Sequence, residues 1–309
     1  MGSTKCAVVT GAFSYTGKYV TRLLLRRGWQ VRTLTNHPGR RDTIGGAIDA
    51  FRYDFEQPER MRAALDGATT LINTYWIRFP HGRATFERAV HNSGTLIDLA
   101  VDAGVRRIVH VSIANASLQS PLAYYQGKAQ VEDLVAASGL AHTILRPTVI
   151  FGAEDILINN IAWFVRHFPV FAVPGDGRYG LRPIYVEDMA RLMADAADDD
   201  GAGGRIVNAV GPQTFAFEEL VKRIAAQMDV RVRIAHVPPR VAYAATRVTG
   251  WFLRDVVLTW EEYLGLMDNL LVVDGPAAGP TRLTQWLGDY RKQVGRHYAS
   301  ELERHYRLT

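Results

Sequence analysis

The feature that most restricts how this chain folds is the regular alternation, over its first half, of short β-branched runs with longer amphipathic segments. "AVVTGA", "VRTLT", "AFRYDF", "TTLINTY", "RRIVHVSI" and "HTILRPTVIFG" have the length and branching of buried strands. Between them, "YTGKYVTRLLLRRG", "PERMRAALDG", "ATFERAVHNSGTLIDLAVDAG" and "LAYYQGKAQVEDLVAASG" space their apolar residues three and four apart and close on glycines suited to a helix stop. Strands joined through helices pair in parallel. The expected class is therefore α/β, a doubly wound parallel sheet with helices on both faces.

Beyond about Ile150 the rhythm loosens. Loops carry Gly152, Pro169, Pro174, Gly175 and Gly177, followed by a helix from Val186, a strand "RIVNAV" and a helix "FEELVKRIAAQM". Nothing like a linker divides the halves. Residues 1–150 are expected to form a nucleotide-sized domain, and 151–309 a smaller, interleaved C-terminal substrate subdomain that partly completes its sheet. The segment from Val241 to Leu271 reads as two packed helices or, alternatively, as a surface amphipathic segment for a membrane or partner. The final stretch "YRKQVGRHYASELERHYRL" reads as a polar, solvated helix.

Composition narrows the function classes. A single cysteine, Cys6, in 309 residues excludes an internal disulfide framework and fits a reducing, cytoplasmic setting. The formal charge of +5 is dispersed among acidic residues, which argues against a nucleic-acid partner. No apolar run is long enough for stable membrane insertion, and the first strand begins too early for a signal peptide. No histidine lies in a zinc-binding pattern, and neither a nucleotide-triphosphate loop nor a G-x-S-x-G elbow occurs. The expected partner is a small molecule. Homo-oligomerisation is left open.

The loop "VVTGAFSYTGKYV" supplies the first specific chemistry. A strand running at once into a glycine turn and a helix presents backbone amides and a partial positive charge to a pyrophosphate. Gly11 permits the turn, and Gly17 lets the helix approach the sheet. Ser14 stands where the fingerprint has its middle glycine, so either the backbone retreats or the hydroxyl donates to the phosphate. Phe13, Tyr15 and Thr16 complete this cofactor loop in a Rossmann-type reading. The second strand ends "VRTLTNHPGRR" without the acidic residue that would hold a ribose diol. Asn36, Arg40 and Arg41 suit a 2'-phosphate instead, although loop arginines are often only solvated. NADP(H) is favoured and NAD(H) remains possible.

Further along, Asp54 and Phe55 close the third strand, where a carboxylate accepts an adenine amino group and an aromatic flanks the ring; the alternative for Asp54 is a helix cap. Thr74 and Tyr75 follow the fourth strand beside the cofactor crevice. Trp76 and Phe79 there line a flat substrate pocket or plug the loop from beneath. Arg78 and His81 suit an anionic substrate or are solvated. In "AYYQGKAQVEDL", Tyr124 and Lys128 lie four apart on one helix face. An adjacent ammonium favours the phenolate of a tyrosine whose ordinary pKa is about 10, which permits acid-base work near neutrality.

Together, "TGAFSYTG", "YYQGK", "LRPTVIFG" and "RPIYVEDMA" resemble the short-chain dehydrogenase/reductase superfamily in its extended and atypical branches, among them NmrA-like regulators and the nucleotide-binding accessory subunit of complex I. The resemblance reaches from the first loop to Asp188. It implies hydride transfer between nicotinamide and a small carbonyl or alcohol, with Tyr124 as acid-base and Lys128 as its electrostatic partner and ribose ligand. It implies that Pro147, Thr148 and Ile150 pass the nicotinamide amide, and that Arg182, Tyr185 and Asp188 border substrate. It also implies a proton-relaying asparagine near His91-Asn92. One departure stands out: Ala114 falls where the family carries a catalytic hydroxyl, leaving Ser112, Asn115 or Ser117 to substitute. Two other readings follow from it, a dinucleotide-binding sensor or assembly protein without turnover, and a sugar-nucleotide epimerase or dehydratase.

Overall fold

A computed structural model describes residues 5–39, 44 and 48–304. The chain divides into two compact units: one takes the chain up to Pro147 and then Val186–Ala209, the other Thr148–Tyr185 and the chain from Val210 onward. Among the described residues no helix is long and apolar enough to cross a membrane.

The first unit is the alternating part. Its strands are β1 (Cys6–Thr10), β2 (Gln30–Thr35), β3 (Asp49–Arg52), β4 (Thr70–Asn73), β5 (Arg107–Val111), β6 (Ala141–Pro147) and, much later in the chain, β11 (Gly204–Ala209). They form one sheet in the order β11-β6-β5-β4-β1-β2-β3, parallel at every pairing. Buried from both sides, β1 and β4 have no exposed residue at all, which is why they read as apolar runs instead of alternating ones.

Helices α1 (Tyr15–Arg26), α2 (Glu59–Leu65), α3 (Phe86–Asp102), α4 (Ala123–Ala137) and α6 (Val186–Asp198) cover the sheet; α1 packs on α6, and α3 on α2 and α4. The end of α1 is tied to α6 by Arg27, which pairs with Asp195 at 2.7 Å and Asp198 at 2.9 Å. Because β1 is followed by a neighbour on one side and β4 lies on the other, the strand order reverses between them. The crevice outside their carboxyl ends is the ligand position that such sheets provide.

The second unit contains short strand pairs around its own core. β7 (Ile150–Phe151) pairs with β10 (Ile184–Tyr185), β8 (Val170–Pro174) with β13 (Arg233–Val237), and β9 (Gly180–Leu181) with β12 (Phe215–Ala216). Helices α5 (Leu157–His167), α7 (Phe217–Gln227) and α10 (Leu283–Tyr290) bury Ile158, Ile161, Leu220, Ile224, Trp286 and Leu287 there. α8 (Pro239–Leu253) and α9 (Trp260–Met267) are the two helices expected between Val241 and Leu271, and meet through Tyr243 against Trp260 and Tyr263.

The polar helix expected from Tyr290 forms only in its later part: residues 301–304 are helical, and those after them lie outside the described residues. After α10, residues 291–297 are turns and bends, because Gly295 adopts a left-handed φ of 69° where a Cβ would sit 2.5 Å from the Ala162 carbonyl carbon. Val294 beside it is buried, and Arg166 donates to the Val294 carbonyl oxygen at 3.1 Å. Docking against α5 outweighs the helical pattern.

Candidate dinucleotide and Tyr-Lys site

The turn after β1 is built from its own backbone. Gly11, at φ 73°, donates its amide to the Leu34 carbonyl at 2.7 Å, and Ala12 donates to Thr33 Oγ1 at 3.0 Å, so β2 holds the turn open. Ser14 donates its amide back to the Gly11 carbonyl at 2.8 Å and caps α1, accepting from the Gly17 amide at 3.3 Å. A Cβ on Gly17 would stand 2.1 Å from the Gly11 carbonyl oxygen; only glycine lets the helix start so close. The question raised by Ser14 thus has a structural answer: the residue is the N-cap. Its hydroxyl accepts one bond and still has a proton to donate. Tyr15 and Thr16 contribute first-turn amides that no carbonyl of the helix can meet. Phe13 is buried behind them.

The crevice beside this turn is laced by side chains from β1 and β4. Thr74 donates its amide to Thr10 Oγ1 at 2.6 Å and its hydroxyl to the Thr10 carbonyl, while Tyr75 donates its amide to Asn73 Oδ1 at 3.1 Å. Asn73 is fully buried, yet its Nδ2 has no hydrogen-bond partner among the described residues; the same holds for Ser112 Oγ and Trp76 Nε1. Buried donors are nearly always satisfied. Unmet ones at the ends of β4 and β5, with a helix N-terminus alongside, suit a ligand rich in phosphate, hydroxyl and amide acceptors. The donor set fits a dinucleotide.

On α4, Tyr124 is half-buried and Lys128 is buried, at 3% exposure. The Lys128 ammonium donates to the Val111 carbonyl at 2.9 Å and lies 4.7 Å from the centre of the Trp76 ring. Burial pushes its pKa down to about 7, against the upward pull of the Glu132 carboxylate one turn on. Glu132 in turn holds Arg146 through a fork, Nε to Oε1 at 2.9 Å. Trp76 lies on the helix at Gly127, where a Cβ would be 3.0 Å from its ring, and packs against Phe86 and the edge of Tyr124 with ring centres 6.1 and 6.0 Å away.

The remaining expected residues separate. Ser117 is engaged with Gln119, and Asn115 turns the chain at φ 57°, whereas Ser112, directly after β5, keeps its unmet hydroxyl. Asp54 accepts from the Gln57 amide and from Arg60, both at 3.0 Å, in the loop before α2, whose N-cap, Pro58, has no side-chain cap bond. Phe55 stacks on Tyr53 at 5.3 Å and packs against Tyr75. Asn92 donates to the Tyr75 hydroxyl at 2.8 Å, so its amide is fastened to the aromatic cluster and not to Lys128. Asn36 is exposed just after β2, and Arg40 and Arg41 lie outside the described residues.

Pro147 ends β6 in the first unit; Thr148 and Ile150 belong to the second, where Thr148 donates its hydroxyl to the Arg182 carbonyl and Ile150 pairs with Ile184. The Arg182 guanidinium is taken by the carbonyls of Gly211 at 3.0 Å and Val273 at 2.8 Å, and Tyr185 packs on Phe151 and Trp286. These contacts fasten loops of the second unit. Asp188 is buried in the first turn of α6 and pairs with Arg191.

Sequence reasoning missed His110. This β5 residue is fully buried next to Lys128, and burial followed by that charge drives its pKa well below the ordinary histidine value, so the imidazole is neutral. Thr10 and Asn73 were missed as well. The only signal available was polar residues at the carboxyl ends of otherwise apolar strands.

Fold and site together define a class, the dinucleotide-binding α/β proteins whose phosphates meet the first helix of a parallel sheet. The chain belongs to the NAD(P)H-binding family, whose model matches residues 11–200. Among similar proteins, subunit 9 of the NADH dehydrogenase [ubiquinone] 1 alpha subcomplex of Arabidopsis thaliana, a mitochondrial protein, is 28% identical over 77% of this chain and 61% of its own length. This chain thus spans less than two thirds of that relative. Quinone oxidoreductase 2 of Escherichia coli is 23% identical over 78% of this chain and 81% of its own. In fold, the NADPH-dependent quinone oxidoreductase of Escherichia coli, solved with NADPH, superposes with a TM-score of 0.76 at 20% identity, covering 93% of this chain and 98% of that one.

Proposed function

We propose that this protein is an NADP(H)-dependent oxidoreductase of the short-chain type that acts on a flat carbonyl compound of the quinone or aryl-ketone class. A bound reduced nicotinamide supplies hydride. Tyr124 donates the proton to the substrate oxygen, and Lys128, one turn away, stabilises the phenolate left behind. The observation that carries this reading is the Lys128 ammonium, buried one turn from Tyr124 on α4 and anchored on the Val111 carbonyl at 2.9 Å, a setting that also lowers its pKa. Strongly perturbed groups of this kind cluster at functional sites. Ser112 takes the place of the missing family hydroxyl, since its unmet Oγ is available to fix a substrate oxygen. The packed rings of Trp76, Phe86 and Tyr124 beside Lys128 suit a flat, apolar substrate. Preference for NADPH rests on the absence of an acidic residue between Thr33 and Asn36 and on Arg40 and Arg41 beyond it.

A second reading, a dinucleotide held for assembly without turnover, is favoured by Trp76 lying over Lys128 and by relatives named as subunits of a larger complex. One experiment separates the two. Nucleotide-stripped protein is titrated with NADPH and NADH by reduced-nicotinamide fluorescence, then assayed for NADPH oxidation with a soluble benzoquinone. Binding with turnover that Tyr124→Phe abolishes supports the oxidoreductase; binding without turnover supports the assembly role; no binding overturns both.

A further inference from the structure

Helix α8 carries an apolar face left in solvent. Val241 is 53% exposed, Val248 58%, Trp251 75% and Phe252 72%. With exposed Ala244 and Ala245 they recur at three-, four- and seven-residue steps and so form one stripe along the helix. The opposite side is the packed one, with Ala242 and Gly250 buried and Tyr243 against α9. Arg240 and Arg247, seven apart, run along one edge of the stripe, and Arg254 follows just past the helix end at a left-handed φ of 53°; all three are exposed and none is ion-paired among the described residues. No acidic residue occurs from Pro239 to Arg254.

Beside the helix end lies an open groove of about 760 Å³, lined by Trp251, Phe252, Val256, Val257, Arg247 and Arg254. It is a built feature: Asp255 at its base is buried and accepts from the Tyr298 hydroxyl at 2.8 Å and the Leu302 amide at 2.9 Å.

We propose that α8 docks this protein peripherally on an anionic phospholipid bilayer, with Trp251 and Phe252 at the acyl boundary and the three arginines on headgroup phosphates. Charge selects this occupant. A second copy would bring two arginine rows together with no carboxylate on either helix to pair them, whereas a leaflet of anionic phosphates is complementary along the whole edge. The aromatic pair at one end and guanidinium groups beside an apolar stripe form the pattern of helices that lie in the membrane interface. At 15 residues the helix is about 22 Å long, too short to span and long enough to lie flat.

The test is co-sedimentation of the full chain with phosphatidylcholine vesicles, with and without phosphatidylglycerol. The expected result is binding about tenfold or more tighter to the phosphatidylglycerol vesicles, weakened by salt. Trp251→Ser with Phe252→Ser should lower it at least about tenfold, and Arg247→Gln with Arg254→Gln roughly fivefold per residue. Melting temperature and NADPH fluorescence of both variants report that they remain folded. No binding by the folded protein, or binding by both variants equal to that of the wild type, overturns the proposal. So does a dimer, seen by sedimentation velocity, that the aromatic variant dissolves, because the stripe then belongs to a second copy.

Discussion

At the scale of single residues the site turns on two side chains whose environments differ from those of ordinary surface groups. Tyr124→Phe removes the proton donor and leaves the phosphate turn untouched. Steady-state assays should therefore show turnover lower by about 10²–10⁴-fold, with NADPH affinity changed by less than about twofold. Lys128 carries a pH signature. Its pKa is about 7 in the folded protein and about 10.5 unfolded, so from pH 7 to 10 the unfolded chain holds a proton that the folded one has released. Native stability gains from this lysine as pH rises through that window, and the gain is absent below it. Melting curves from pH 6 to about 9.5 should show the wild type improving relative to Lys128→Met; parallel curves would mean the ammonium is not desolvated. Tyr124, Lys128 and the glycine turn were legible in the sequence because each sits at a fixed spacing inside one element. His110 was not, and the sequence left Ser112 level with Asn115 and Ser117, since what sets these residues apart comes from what distant strands bring against them.

At the scale of elements, the start of α1 and its distance from the sheet are one fact. Replacing Gly17 with valine forces a side chain into a space where even a Cβ would stand 2.1 Å from the Gly11 carbonyl oxygen. The expected cost is about 1–3 kcal/mol in urea unfolding together with loss of NADPH binding by fluorescence titration. A folded Gly17→Val protein that binds normally would show that the phosphate turn lies elsewhere. The alternation of the first half was readable because its central strands, β1 and β4, are buried on both faces and the helices on one. The second unit resisted reading for the opposite reason. Its strands are two to five residues long, too short for any periodicity, and α5 lies between loop-like prolines and glycines that hide it. The end of the chain shows the same limit: the helical pattern after Tyr290 yields to the fit of Gly295 against Ala162, which no local window contains.

For the whole molecule, a ligand that binds only the folded state raises its melting temperature, by about 2.7 kcal/mol of added stability at a hundredfold excess over Kd. NADPH should raise it by several degrees and NADH by less at equal concentration; differential scanning fluorimetry with both decides the cofactor preference. Equal shifts would remove Arg40 and Arg41 from the argument. The chain leaves the first unit after Pro147 and returns for α6 and β11, so β6 gains its outer neighbour only when Gly204–Ala209 arrives. During synthesis that strand waits, its outward row of amides and carbonyls unpaired, for a time on the order of several seconds at about 5–20 residues per second. A ribosome-stalled chain ending before Gly204 should be cut by protease within β6, and become resistant there once Ala209 has left the exit tunnel. Translation pace across this interval therefore sets how long newborn molecules are open to one another.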